Sequence, residues 1–316
     1  MRRLRSMDLD RVAVTAHHTP MMLLENYATE TAAEDMLLDH APYAPFLDPR
    51  TARPPGLMPL SGAPTVVVLP DYAAQMARRA GLLARKREVV HSLPPGAEPA
   101  ARELFAMVTA EAAAHPGFAR DGDRWCRPDG VSLTLDPGDP LASLGLLAAE
   151  DWCLLSPDPA SGEYRLAAAV LCFPSRWSLA EKLGRPLTAI HAPVPDYDAT
   201  LARRVNRVFE ALRPGRGLWR VNWLVHPCAE PHLPGKDAQA PDDKGLFLRT
   251  ERQTLIRLPQ TGAVAFGIKT SICPLAALTR AEARALAGAL GELDPSVIAY
   301  RSGGDVHARA LDALAD

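Results

Sequence analysis

The chain has 316 residues, 47% of them hydrophobic, and a formal net charge of −2. That length suits one large domain or two small ones, and the near-neutral charge gives no electrostatic case for nucleic acid as a partner. Five scattered cysteines (Cys126, Cys153, Cys172, Cys228 and Cys273) form no C-x-x-C pair. They predict reduced thiols in a cytoplasmic protein, with no zinc or iron–sulfur site. The basic start Met1-Arg2-Arg3-Leu4-Arg5 is followed by no apolar h-region, and no apolar run reaches membrane-spanning length. Neither a signal peptide nor a membrane partner is expected.

Residues 1–50 read as a polar lead-in with one acidic helical piece over 25–40 and solvated His17 and His18. Residues 51–316 are expected to form a single domain, opened by turn-rich residues 54–60. A helix is predicted over 71–90. Asp71 can cap it, Tyr72, Met76, Ala80 and Leu83 recur at helical spacing, and Arg78, Arg79, Arg85, Lys86 and Arg87 make its wet face. A second helix is predicted over 98–114, and Pro137-Gly138-Asp139-Pro140 marks a loop. Strand-like apolar runs then occupy 152–156, 164–173, 218–225, 247–258 and 263–272, the last two paired across Pro259-Gln260-Thr261-Gly262. Helices are predicted at 198–212, 280–290 and 294–301, with a C-terminal piece beyond Gly303-Gly304. The expected class is α+β: an antiparallel sheet of about five strands, one helical crossover, and helical flanks at both ends.

Residues 173–195 carry the most unusual pattern. A short helical stretch after Trp177 stops at Gly184, and the chain is expected to extend through Ile190-His191-Ala192-Pro193-Val194-Pro195, stiffened by its prolines. An imidazole held there suits a metal or haem iron, and equally an ordinary core histidine. In 218–226, alternation puts Trp219, Val221, Trp223 and Val225 on one face, and Arg220, Asn222, Leu224 and His226 on the other. Arg220 and Asn222 either line a polar pocket or meet solvent. Trp219 and Trp223 either pack in the core or flank a macrocycle. In 247–257, Arg249, Glu251 and Gln253 share one face, and Thr250, Arg252 and Thr254 the other. Charges on both faces imply an edge strand, a cofactor, or a Glu251–Arg ion pair. His226 and His232 compete with His191, but their spacing makes no helix-borne metal pair. No G-x-S-x-G, P-loop or G-x-G-x-x-G signature is present, so the chain has no visible means of taking hydride itself.

Four motifs in order add a resemblance. They are Glu150-Asp151-Trp152-Cys153-Leu154-Leu155; F-P-S-x-W, E-K-x-G-x-P-L and I-H-x-P-V-P between Phe173 and Pro195; Trp219-Arg220-Val221-Asn222-Trp223; and Leu248-Arg249-Thr250-Glu251-Arg252-Gln253-Thr254-Leu255 with Arg257-Leu258-Pro259. Together they resemble the haem-dependent oxidative N-demethylase family, of the dimethylamine monooxygenase alpha-subunit type, over roughly residues 55–275. The resemblance implies a PAS-like fold holding haem b, with His191 as axial iron ligand. It implies Lys182, Arg249 or Arg252 as propionate partners, Trp223 beside the macrocycle, and Arg220 and Asn222 as catalytic residues. The implied reaction is a monooxygenase-type oxidation of a C–H bond next to the nitrogen of a small-molecule amine, with O2 as co-substrate. Electrons would come from NADPH through a separate reductase or ferredoxin-type donor. The alternative is a non-catalytic haem- or small-molecule-binding PAS-like sensor or accessory protein.

Overall fold

The computed structural model describes residues 31–52, 55–195, 199–235 and 245–315. His17, His18 and the first part of the helix predicted over 25–40 lie outside them. The described remainder of that stretch forms only the short 3-10 turn Glu34–Met36, so the predicted helix is corrected there. Met36, Leu38 and Phe46 are buried in the core.

The elements, in order, are β1 (Met58–Pro59), α1 (Tyr72–Arg85), α2 (Arg87–Val90), β2 (His91–Ser92), α3 (Glu98–Ala114), β3 (Ala119–Asp121), β4 (Arg124–Cys126) and β5 (Ser132–Thr134). Then come α4 (Pro140–Leu147), β6 (Asp151–Asp158), β7 (Glu163–Val170), α5 (Leu179–Lys182), α6 (Leu187–His191) and α7 (Ala199–Ala211). The chain continues with β8 (Leu218–His226), β9 (Phe247–Arg257), β10 (Val264–Pro274), α8 (Arg280–Gly291), α9 (Pro295–Arg301) and α10 (Gly304–Leu314).

The main sheet has seven strands in the order β1-β8-β9-β10-β6-β7-β2, all pairs antiparallel, and β3-β4-β5 form a separate small sheet. The five long strands fall on the five predicted runs. The expected count of five is corrected to seven by β1 and β2, which are two residues each and too short to show a period. Residues 171–217 carry the chain from β7 across the sheet to β8 on its far side.

Residues directly opposite on neighbouring antiparallel strands share a face, so register assigns the two surfaces. One face carries Trp152 and Leu154, packed with Met76, Leu83, Leu104 and Leu144 of α1, α3 and α4. Trp223, Val225 and Leu248 lie further along the same face, under Leu286 of α8 and Ala310 of α10. Gly267 is required there: a Cβ would sit 2.6 Å from Thr254 Oγ1 and 2.7 Å from the Trp152 ring. The crossover covers the other face. Leu155, Leu255 and Val264 meet Leu187, Phe209 and Leu212 on this side.

The α1 helix departs from its predicted form in three ways. It breaks at Lys86 instead of running to residue 90. Asp71 makes no capping hydrogen bond; its carboxylate accepts from Lys269 Nζ at 3.0 and 3.1 Å and from Gln75 at 2.7 Å. Arg78 and Arg79 are buried, not wet: Arg78 pairs with Glu230 at 3.0 Å and Arg79 with Asp151 at 2.6 Å.

Glu150 is buried near Lys269, accepts the Val67 amide at 2.8 Å, and has its carboxyl pushed by burial from 4.5 up to about 7. A carboxyl raised on folding binds a proton in the native state that the unfolded chain has released. Stability therefore falls as pH rises between the two values. Glu150→Gln is expected to flatten that part of the pH–stability profile, a difference on the order of 3 kcal/mol in urea unfolding. Parallel profiles for the two proteins would rule out Glu150 as the source.

Candidate functional site on the crossover face of the sheet

Register places the site residues in rows. Arg220 of β8 lies opposite Gln253 of β9, which lies opposite Ile268 of β10. The next row runs Asn222, Glu251, Thr270. Arg220, Asn222 and Gln253 are half-buried.

Glu251 organises this surface. Its carboxylate accepts from Gln253 Nε2 at 3.1 Å, from Asn222 Nδ2 at 3.4 Å and from Arg249 Nε at 3.2 Å. Arg220 stands nearby with its Nε buried and without a partner, and burial lowers its affinity for its proton. Arg301 of α9 approaches from the strand edge, stacked over the Trp223 ring at 5.3 Å and donating to the Trp223 carbonyl at 3.3 Å. Burial, and then the Arg220 charge, hold its proton affinity down.

The crossover supplies the roof. Ser178 and Glu181 form a reciprocal capping box that starts α5, and Gly184 in the left-handed region ends that turn. Lys182 rests its ammonium 4.2 Å from the centre of the Trp177 ring. Trp177, Ile190, Leu183, Phe266 and Cys153 form one apolar cluster beside it.

His191 is the last residue of α6, not part of an extended segment. Ala192 is helical at φ −49 and ψ −33, and the His191 carbonyl accepts from Val194 N at 2.8 Å in a turn. The bias that Pro193 places on Ala192 yields to this closed turn. The half-buried imidazole bonds through Nδ1 to the Leu187 carbonyl at 2.9 Å. Because a carbonyl only accepts, Nδ1 carries the hydrogen and Nε2 is the basic nitrogen. Burial lowers the pKa of His191; the Leu187 carbonyl opposes this, and Lys182 and Arg220 add to it. The ring is therefore neutral at pH 7 with a lone pair on Nε2.

The other candidate residues fall elsewhere. Arg252 and Trp223 are on the opposite face. Arg252 donates to the Pro64 carbonyl at 2.7 Å and lies over Trp219, and Trp223 packs edge-on against Phe46. Arg249 is on the site face but fully buried, its guanidinium spent on the carbonyls of Pro231 and Phe173 and on Glu251. His226 lies beside Cys228, its Nδ1 3.3 Å from that sulfur, and burial pushes its pKa down to about 4. His232 bonds to the Cys172 carbonyl at 2.7 Å.

Burial pushes the Cys153 thiol up to about 12, so it is a neutral neighbour of the site and no thiolate. A separate depression between Phe105 and Trp125 contains no histidine. Sequence reasoning missed Arg301, which belongs to a helix far along the chain, and gave Glu251 no more than a possible ion pair. Alternation on β9 did place Glu251 beside Gln253; only the pairing with β8 shows what it holds.

These features define a mixed α/β protein built on a large antiparallel sheet, with one polar, cation-rich face roofed by a histidine-bearing crossover. Among the described residues no helix is long and apolar enough to cross a membrane, and no three His, Cys, Asp or Glu side chains cluster as a metal site. A family model described as haem-dependent oxidative N-demethylase, alpha subunit-like, matches residues 56–311, and the chain belongs to that family. The description names a haem-dependent oxidoreductase and one subunit of a larger assembly.

Proposed function

We propose that the chain is the haem-carrying subunit of a monooxygenase that oxidises a C–H bond next to the nitrogen of an amine-containing metabolite. In this reading residues 51–316 act as one PAS-like domain holding haem b between the crossover and the β8-β9-β10 face. The observation that carries it is a neutral histidine on the crossover and a half-buried arginine with an unpartnered Nε on the sheet face, close enough for the arginine's charge to lower the histidine's pKa. The donor set suits haem. A neutral imidazole offers Nε2 to iron, Trp177, Ile190 and Phe266 offer apolar walls, and Lys182 offers a cation to a propionate carboxylate.

When bound, haem would supply O2 activation and the oxidising step. The protein's residues do the rest. The Leu187 carbonyl fixes the His191 tautomer. Arg220 donates toward oxygen or orients the substrate. Glu251 holds Asn222 and Gln253 so that their amides face the substrate, and its own charge favours a protonated amine nearby. The oxidised carbon, now bearing oxygen next to nitrogen, releases an aldehyde and the dealkylated amine. Electrons come from NADPH through a separate reductase or ferredoxin-type partner, because the chain has no dinucleotide fingerprint. Five free cysteines support a reducing, cytoplasmic setting.

The test is to load the purified chain with haem, record the Soret band, and assay secondary and tertiary methylamines with NADPH and a surrogate reductase. Arg220→Met is expected to keep the Soret band and lose at least 100-fold in turnover, the scale of a missing preorganised donor. A haem-loaded chain that oxidises no amine would point instead to the sensor or accessory role. A chain that takes no haem would end both readings.

A further inference from the structure

The α7 helix carries a charge pattern that the site chemistry does not use. Its inner side, Val205, Val208 and Phe209, packs with Leu212 against Leu187 of α6, whose carbonyl holds the His191 ring. Its outer side and the following turn expose Arg203, Arg204, Arg207, Arg213 and Arg216, with Glu210 the one carboxylate between Ala199 and Arg216. Arg204, Arg207 and Arg216 are in no ion pair among the described residues. The whole chain, by contrast, has a net charge of −2. Cations gathered on one exposed helix of a near-neutral protein steer an oppositely charged partner to that place. One packed layer of side chains separates this surface from α6.

We propose that the arginine face of α7 is the docking surface for an acidic one-electron carrier protein that reduces the site under His191. The proposal rests on the haem reading above for its purpose, though not for its geometry. In the step it serves, one electron leaves the carrier's reduced cluster, and the haem is reduced from ferric to ferrous. No bond is made or broken.

The probe is a plant-type [2Fe–2S] ferredoxin, an acidic carrier. The variants are the triple Arg204→Glu, Arg207→Glu, Arg216→Glu chain and the milder triple Arg→Gln chain, each checked for an unchanged circular dichroism spectrum. Binding to the full chain is measured by biolayer interferometry, and reduction of the haem-loaded chain by stopped flow, with dithionite as a reductant that needs no docking. At about 20 mM ionic strength the wild type should bind the ferredoxin and be reduced by it, and both should weaken steeply toward about 0.5 M salt. Charge reversal should lower affinity and reduction rate at least ten-fold, neutralisation less, with dithionite reduction preserved. Equal binding by wild type and charge-reversed chain, or no binding by the wild type, overturns the proposal. So does equal binding to duplex DNA or phosphatidylserine vesicles, which would make the face a general polyanion patch. Salt-dependent ferredoxin binding by a chain that takes no haem would keep the surface and remove the haem reading.

Discussion

His191→Ala is expected to abolish retention of haem, and with it the native Soret band, while the sheet stays folded. The side chain is half-buried at the end of a five-residue helix, and its Nδ1 bond to the Leu187 carbonyl lies within that helix. Loss of such a bond costs roughly 1 kcal/mol, too little to unfold the domain. In the proposed site His191 would hold the iron, so its loss would remove the main attachment of the haem. Added imidazole should restore part of the spectrum by occupying the vacated space. The measurements are absorption spectra after haem loading, with circular dichroism to establish folding. A folded His191→Ala chain with an unchanged Soret band would end the assignment. His226 and His232 would follow: both are buried, and the Nε2 of His232 has no partner.

Arg79→Met is expected to lower stability by about 3–5 kcal/mol, the range for breaking a buried ion pair from one side. Arg79 is 0% exposed and donates to the Gly145 carbonyl at 3.1 Å, the Glu150 carbonyl at 2.7 Å and the Asp151 carboxylate at 2.6 Å. Asp151 in turn accepts the backbone amides of Cys172 and Phe173 at 2.7 and 2.9 Å, where the chain leaves β7 for the crossover. Removing the guanidinium leaves a buried carboxylate whose charge is met only by the two backbone amides. Asp151→Asn added to Arg79→Met should cost less than the sum of the two single changes, since the uncompensated charge is then gone. Urea unfolding of the four proteins measures this. A loss below about 1 kcal/mol for Arg79→Met would mean that water or relaxation replaces the pair.

The same network gives the Glu150-Asp151 motif a structural role. Its first carboxylate ties down the 65–68 segment through Val67, and its second fixes the start of the crossover. The motif helps to mark the family in sequence, yet its contacts are with backbone and with Arg79. The residues proposed for chemistry lie on the other surface of the sheet, aligned by strand pairing.

What the sequence by itself determined was local. Apolar runs bounded by turn residues located all five long strands, and the 98–114 helix matches α3 residue for residue, because both signals depend on near neighbours. Alternation correctly set Arg220 and Asn222 on one side of β8, and four motifs in order marked the family. Only the tertiary structure decided the rest. Whether an arginine is wet or buried depends on a partner distant in sequence: Arg78 finds Glu230, Arg79 finds Asp151, and Arg249 and Arg252, on opposite faces of β9 by alternation, are buried where loop carbonyls come to meet them. Glu251 became the anchor of the polar face only when β8 paired with β9. Ala192 took a helical conformation against its proline neighbour because the chain closes a turn there. A one-dimensional pattern records the period of a segment. It holds no record of which groups must neutralise one another once water is excluded, and that requirement set the burial of charge in this fold.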